Sequence, residues 1–172
     1  MPKPMRKPSH AKKFAEVENI SFFGAVGRMG PIGLWMYART YATAAASLPE
    51  PEAGYEPVRH YLTCHSIELS LKAFLSLHGA TMLELSESGY GHNLESILAS
   101  ADAKSLSGTV NLTSEHRAEI VREALYYSGK VFEYPAVGEA LRGYPDLPTL
   151  SVLLDVSNKL VASLEQSCKE AR

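Results

Sequence analysis

Cysteine is scarce in this chain. Cys64 and Cys168 are the only two in 172 residues, and they form no CxxC pair and no metal-binding spacing. That excludes a zinc ribbon, a thioredoxin-type redox site and a disulfide scaffold, and makes a reducing, cytoplasmic setting the expectation. Long hydrophobic runs are also missing. None approaches the roughly 18 residues of a membrane span. The amino-terminal stretch holds Pro2, Pro4 and Pro8 and no apolar segment, so it does not read as a secretory signal. Alternation at period two is nearly absent. Its best instance, residues 108–112, is too short to argue for a sheet. No internal repeat is visible.

Net charge is small, at −2, but unevenly placed. Lys3, Arg6, Lys7, Lys12 and Lys13 give the first 13 residues +5 with no acid. The remaining 12 basic and 19 acidic residues leave the body at −7. An acidic body is a poor match for nonspecific nucleic-acid binding, because affinity for phosphate backbones comes mainly from basic side chains. Residues 1–13 read as a basic flexible tail and residues 14–172 as a single helical domain. Gly24, Gly27, Gly30 and Gly33 recur at every third position. The series is not GxGxxG and lacks the Lys-Ser/Thr of a phosphate loop, so a flexible lead-in to a helix is the simpler reading.

Apolar residues at helical spacing account for most of the rest. Pro31 suits a first helical turn, and Leu34, Tyr37, Ala38, Tyr41, Ala42, Ala45 and Leu48 follow as one stripe. Pro49 and Pro51 end that helix. A second helix runs from Pro57 to His78 and stops at Gly79. Its core face holds Cys64, Ile67, Leu71, Phe74, Leu75 and His78, with His65, Glu68 and Lys72 as a polar ridge beside it. A short helical turn is predicted at Met82–Leu85. A third helix starts near His92 or Asn93, where Asn can cap, and carries Leu94, Ile97, Leu98 and Ala101. A fourth starts at Thr113 or Ser114 and carries Ile120, Val121, Ala124, Leu125 and Ser128. Residues 134–149 form a loop with one helical turn at 138–141. A last helix opens at Pro148 or Thr149 and bears Leu150, Leu153, Leu154, Val156, Leu160, Val161 and Leu164. The fold class is therefore all-α, a bundle of about five mainly antiparallel helices. Cys64 falls in the core as a small hydrophobe, and Cys168 falls near a fraying carboxyl terminus.

The order of several short motifs resembles one family. His65-Ser66-Ile67-Glu68-Leu69-Ser70-Leu71-Lys72-Ala73-Phe74-Leu75 is followed by Gly79, then Gly91-His92-Asn93-Leu94, then Phe132-Glu133-Tyr134-Pro135. Over roughly residues 31–165 this resembles the HEPN domain (higher eukaryotes and prokaryotes nucleotide-binding), in its prokaryotic stand-alone form. The resemblance implies a helical bundle, homodimerisation through helix faces, and links to RNA or nucleotides. Many HEPN members are ribonucleases of toxin–antitoxin or phage-defence systems. Others lack catalysis and bind nucleic acid, nucleotide or a nucleotidyltransferase-like antitoxin partner. Catalytic members share an Arg-x(4–6)-His motif near the start of a late helix.

Arg59 and His65 fit that spacing. His65 would serve as general acid or base and Arg59 would stabilise phosphate charge. Two observations weigh against the pair. Eight arginines and six histidines give about 0.8 such matches from composition alone. The pair also lies on the second helix, where six steps turn His65 about 240° away from Arg59. The alternative is a structural network, with His65 and Glu68 bonded at i,i+3, Glu68 and Lys72 paired at i,i+4, and the group reaching to the His92 turn.

A metal site built from His65, Glu68 and His92 is conceivable because HxxE puts two ligand types on one helix face. With no second His-rich motif, no metal and no cofactor is expected. Tyr126, Tyr127, Phe132 and Tyr134 could stack on bases, but more commonly such rings fill a core or an interface. The leading expectation is a non-catalytic HEPN-like module binding nucleotide, RNA or a partner protein. Glu68, Lys72, His92 and Tyr134 are its binding or network residues. A metal-independent endoribonuclease using Arg59 and His65 is the rival, and a purely structural oligomerisation domain is the third reading.

Overall fold

The computed structural model describes residues 29–49, 56–86, 90–134, 144 and 146–171. Expectations for residues 1–28, including the basic tail, Gly24 and Gly27, and for a helical turn at 138–141 lie outside these. Among the described residues the chain is all-helical, with six α-helices, one 3-10 turn and no strand. The helices are α1 (Pro31–Ser47), α2 (Pro57–Leu77), α3 (Met82–Ser86), α4 (Leu94–Ala103), α5 (Ser114–Ser128) and α6 (Leu150–Glu170). The 3-10 turn, Leu106–Gly108, ends at the first residue of the segment with the best period-two pattern. No described helix is long and apolar enough to cross a membrane.

Local chemistry sets the helix ends. Pro31 and Pro57 open α1 and α2, where a missing N–H costs nothing. Gly79 closes α2 in a left-handed conformation (φ +89°), its N–H donating to the Ser76 carbonyl while the Ala80 N–H donates to that of Leu75. Asn93 caps α4 through the Ser96 N–H. Thr113 caps α5 in a reciprocal box, accepting from the His116 N–H while its own N–H donates to His116 Nδ1. His116 Nε2 is thereby left to carry the proton toward Asp155 of α6, 3.1 Å away. Glu119 accepts from the Thr149 N–H and so caps α6 from a neighbouring helix.

The bundle centres on α2. Arg59 meets the Leu48 carbonyl and Ser66 meets the Ala38 carbonyl, which fixes α1 and α2 as antiparallel neighbours. Ser66 Oγ also bonds Ser157 Oγ of α6 at 2.8 Å, so one buried hydroxyl ties three helices. Small residues make that approach possible: Ala38, Ala42 and Ala45 are all buried. Around them Leu34, Trp35, Ile67, Leu71, Phe74, Ile97, Ile120, Leu153 and Leu160 form one continuous core. Each large apolar side chain contributes on the order of 2 kcal/mol by leaving water.

Four expectations need correction. His78 is exposed at the end of α2 and does not lie on its core face. Cys168 is fully buried in the last turn of α6, and burial lifts its thiol pKa to about 11. It packs in a helix that persists to Glu170, so it does not lie in a frayed end. Tyr37 is more than half exposed and lies off the α1 stripe. On α5 the apolar stripe is broken: Val121 and Leu125 face outward, while His116, Glu119 and Glu123 are buried. The physical reason is partner chemistry, since each of those three polar residues has a dedicated partner on another element or on the cap of its own helix.

Candidate functional site

His65, Glu68 and Lys72 lie at i, i+3 and i+7 on α2 and so share one face. The structure buries this ridge against the His92 turn and α5. Glu68 is 2% exposed and sits at the centre. Its Oε1 accepts from Lys72 Nζ at 2.7 Å. Its Oε2 accepts from Tyr127 O–H at 2.7 Å and from His92 Nδ1 at 2.9 Å. Lys72 also donates to the Gly91 carbonyl at 2.7 Å. Gly91 has φ +31°, a conformation that a side chain rarely adopts, and that conformation helps explain glycine before His92.

Donor counting fixes the protons. Tyr127 has one hydroxyl hydrogen and gives it to Glu68. The 2.7 Å contact between His65 Nδ1 and Tyr127 Oη must therefore be His65 N–H donating to the phenol oxygen. An ionised carboxylate only accepts, so His92 Nδ1 carries a proton as well. His65 Nδ1 lies 3.7 Å from Glu68 Oε2, close enough to polarise it without a hydrogen bond.

The electrostatics follow from this geometry. Burial by itself would raise the Glu68 pKa. The imidazoles of His65 and His92 and the Lys72 ammonium outweigh burial and hold the carboxyl well below the usual range. Tyr127 is driven far above an ordinary phenol, first by burial and then by the neighbouring Glu68 charge. His92 is raised by its hydrogen bond to Glu68, which outweighs its partial desolvation. Near neutral pH the centre is thus a carboxylate, bonded to Lys72, and a neutral phenol.

The cluster is closed on one side and open on the other. The His65 ring lies edge-on to Tyr41 at 4.4 Å and stacks on Tyr61 at 5.8 Å. Its centroid is 6.3 Å from that of His92, whose side chain is 58% exposed. His65, Glu68 and His92 each offer a ligand atom within 4.8 Å of the others, a grouping of three His, Cys, Asp or Glu side chains that occurs once among the described residues.

Of the residues singled out in the sequence, the structure brings together His65, Glu68, Lys72 and His92. It takes Arg59 elsewhere. Arg59 Nη2 donates to the Leu48 and Pro49 carbonyls at 2.7 and 2.9 Å, and Nη1 pairs with Glu56 at 2.9 Å. Its guanidinium closes the end of α1 and makes no contact with His65. Tyr134 lies past α5, three-quarters exposed, outside the network.

Two things were not read from the sequence. Tyr127 stood out only as one of several rings; its bond to Glu68 spans 59 positions. The second is a buried group one turn earlier on α2. Glu123 Oε1 contacts His60 Nδ1 and accepts from Cys64 Sγ, each at 3.0 Å. Burial first, and then Glu123, pushes the Cys64 thiol well up, which makes it a poor nucleophile.

Fold and site define a helical bundle with a buried carboxylate-centred polar network that opens onto an imidazole and tyrosine face. No family model, no curated protein and no solved structure matches the chain.

Proposed function

We propose that this chain is a HEPN-like interaction module that binds RNA or a nucleotide without cleaving it. The observation that supports this reading is the network itself. Glu68, Tyr127 and Lys72 hold the two imidazoles in fixed positions at the edge of the bundle, beside the rings of Tyr41 and Tyr61. Rings of this kind stack on bases irrespective of sequence. His92, with its raised pKa and exposed side chain, supplies partial positive charge for a phosphate. A cytoplasmic home, homodimerisation and a nucleotidyltransferase-like partner belong to the same proposal, through the HEPN resemblance.

The rival reading is a metal-independent endoribonuclease. One observation favours it: His65 gives its Nδ1 proton to Tyr127, which leaves Nε2 as a base when the ring is neutral. Against it, Arg59 Nη2 is held by the Leu48 and Pro49 carbonyls and Nη1 by Glu56, away from His65, so the pair lacks its phosphate-stabilising member.

One experiment separates these readings. Labelled single-stranded RNA is incubated with wild type, His65→Ala and Tyr61→Ala in EDTA, and both anisotropy and gel mobility are recorded. The module predicts binding without cleavage and about a tenfold weaker complex for Tyr61→Ala. Cleavage by wild type and not by His65→Ala would establish the nuclease instead. Intact, unbound RNA in every sample would remove both and point to a protein partner.

A further inference from the structure

We propose that His65, Glu68 and His92 form a binding site for one divalent transition-metal ion, of which Zn2+ fits best, with a coordination position left open. This goes beyond the RNA-binding reading and stands or falls separately from it.

The donor set comes first. Two imidazoles and one carboxylate match the three-ligand zinc sites that keep a fourth position for water or another ligand. Ca2+ and Mg2+ call for oxygen-rich shells, and this cluster offers a single carboxylate. Among metals, imidazole-rich sites favour the later first-row ions.

Geometry comes second. The three ligand atoms lie within 4.8 Å of one another, and the Glu68–His92 pair is already at 2.9 Å. Metal–ligand bonds of about 2.0–2.1 Å require ligands about 3.3 Å apart in a tetrahedron. Closing the remainder is an adjustment of about 1 Å or more. It falls to His92, which sits in the turn before α4 with an exposed side chain, and that side also gives an ion its way in.

The surroundings come third. Lys72 would repel a cation, but it is bound to Oε1 and to the Gly91 carbonyl. It therefore fixes the carboxylate and the His92 turn in register and leaves Oε2 as the ligand-facing oxygen. Tyr127 Oη, 2.7 Å from Oε2, is the outer donor that orients that oxygen, much as second partners orient ligands in known metal centres. An imidazole that coordinates through Nδ1 carries its remaining proton on Nε2, and the phenol keeps its own.

The test uses the full chain, stripped with EDTA and then dialysed. Co2+ is titrated while visible ligand-field absorption is followed, and Zn2+ binding is measured by calorimetry. The variant is His92→Gln, which keeps a hydrogen-bond donor to Glu68 and loses the ligand. Expected are one Co2+ per chain displaced by Zn2+, affinity at least about tenfold weaker in His92→Gln, and an unchanged unfolding midpoint for that variant in EDTA. His65→Gln, held to the same expectations, replaces it if His92→Gln loses helical circular dichroism. The proposal is overturned by folded wild type that gives neither absorption nor heat, or by a folded variant that binds as tightly as wild type.

Discussion

Two buried glutamates face each other's helices in this bundle, and they are treated differently. Glu68 of α2 has an ammonium, a phenol and an imidazole, and both of its oxygens are satisfied. Glu123 of α5 has His60 and Cys64 on one oxygen, while its Oε2 is buried without a hydrogen-bond partner. The first group opens to solvent through His92. The second is sealed by Phe132, whose ring stacks on His60 at 5.2 Å. A fully partnered buried charge specifies one arrangement of its neighbours, whereas a half-partnered one mostly adds cost. The contrast sets a fully partnered network at the edge of the bundle against a half-partnered group in its interior.

Substitutions can break that contrast. Glu68→Gln leaves Lys72 buried without its counter-charge, and a loss of about 3–5 kcal/mol is expected in urea unfolding. Tyr127→Phe deletes a hydrogen bond to a charged acceptor and strands the His65 proton. It should cost about 2 kcal/mol by the same measurement. Glu123→Gln keeps an oxygen for His60 and Cys64 and changes only the oxygen that has no hydrogen-bond partner. Its midpoint should stay within about 1 kcal/mol of wild type. If Glu123→Gln cost as much as Glu68→Gln, the two groups would be equivalent and the distinction would fail.

Much of the fold was legible from the sequence because its signals are local. Pro31, Pro57, Gly79, Asn93 and Thr113 mark helix ends by rules that need only adjacent residues. The Glu68–Lys72 pair follows from i,i+4 spacing alone. What escaped is long-range. Nothing near Tyr127 announces a partner on α2, and nothing near Glu123 announces His60. For the same reason the phase of α5 misled: a hydrophobic count favours burying Leu125, but the bundle turns that helix to seat its charged partners and leaves Leu125 at the surface. Arg59 shows the converse, where a correct spacing match carries no geometry.

Trp35 is the only indole in the chain, fully packed, with Nε1 bonded to the Val161 carbonyl of α6 at 2.8 Å. Arg39 and Lys169 lie over its ring. Its fluorescence is therefore a single-site reporter of whether α6 is docked on α1. Glu68 and its partners sit on other elements, so unfolding followed at once by tryptophan emission and by helical circular dichroism will show whether the α1–α6 contact melts with the rest of the helices or before them.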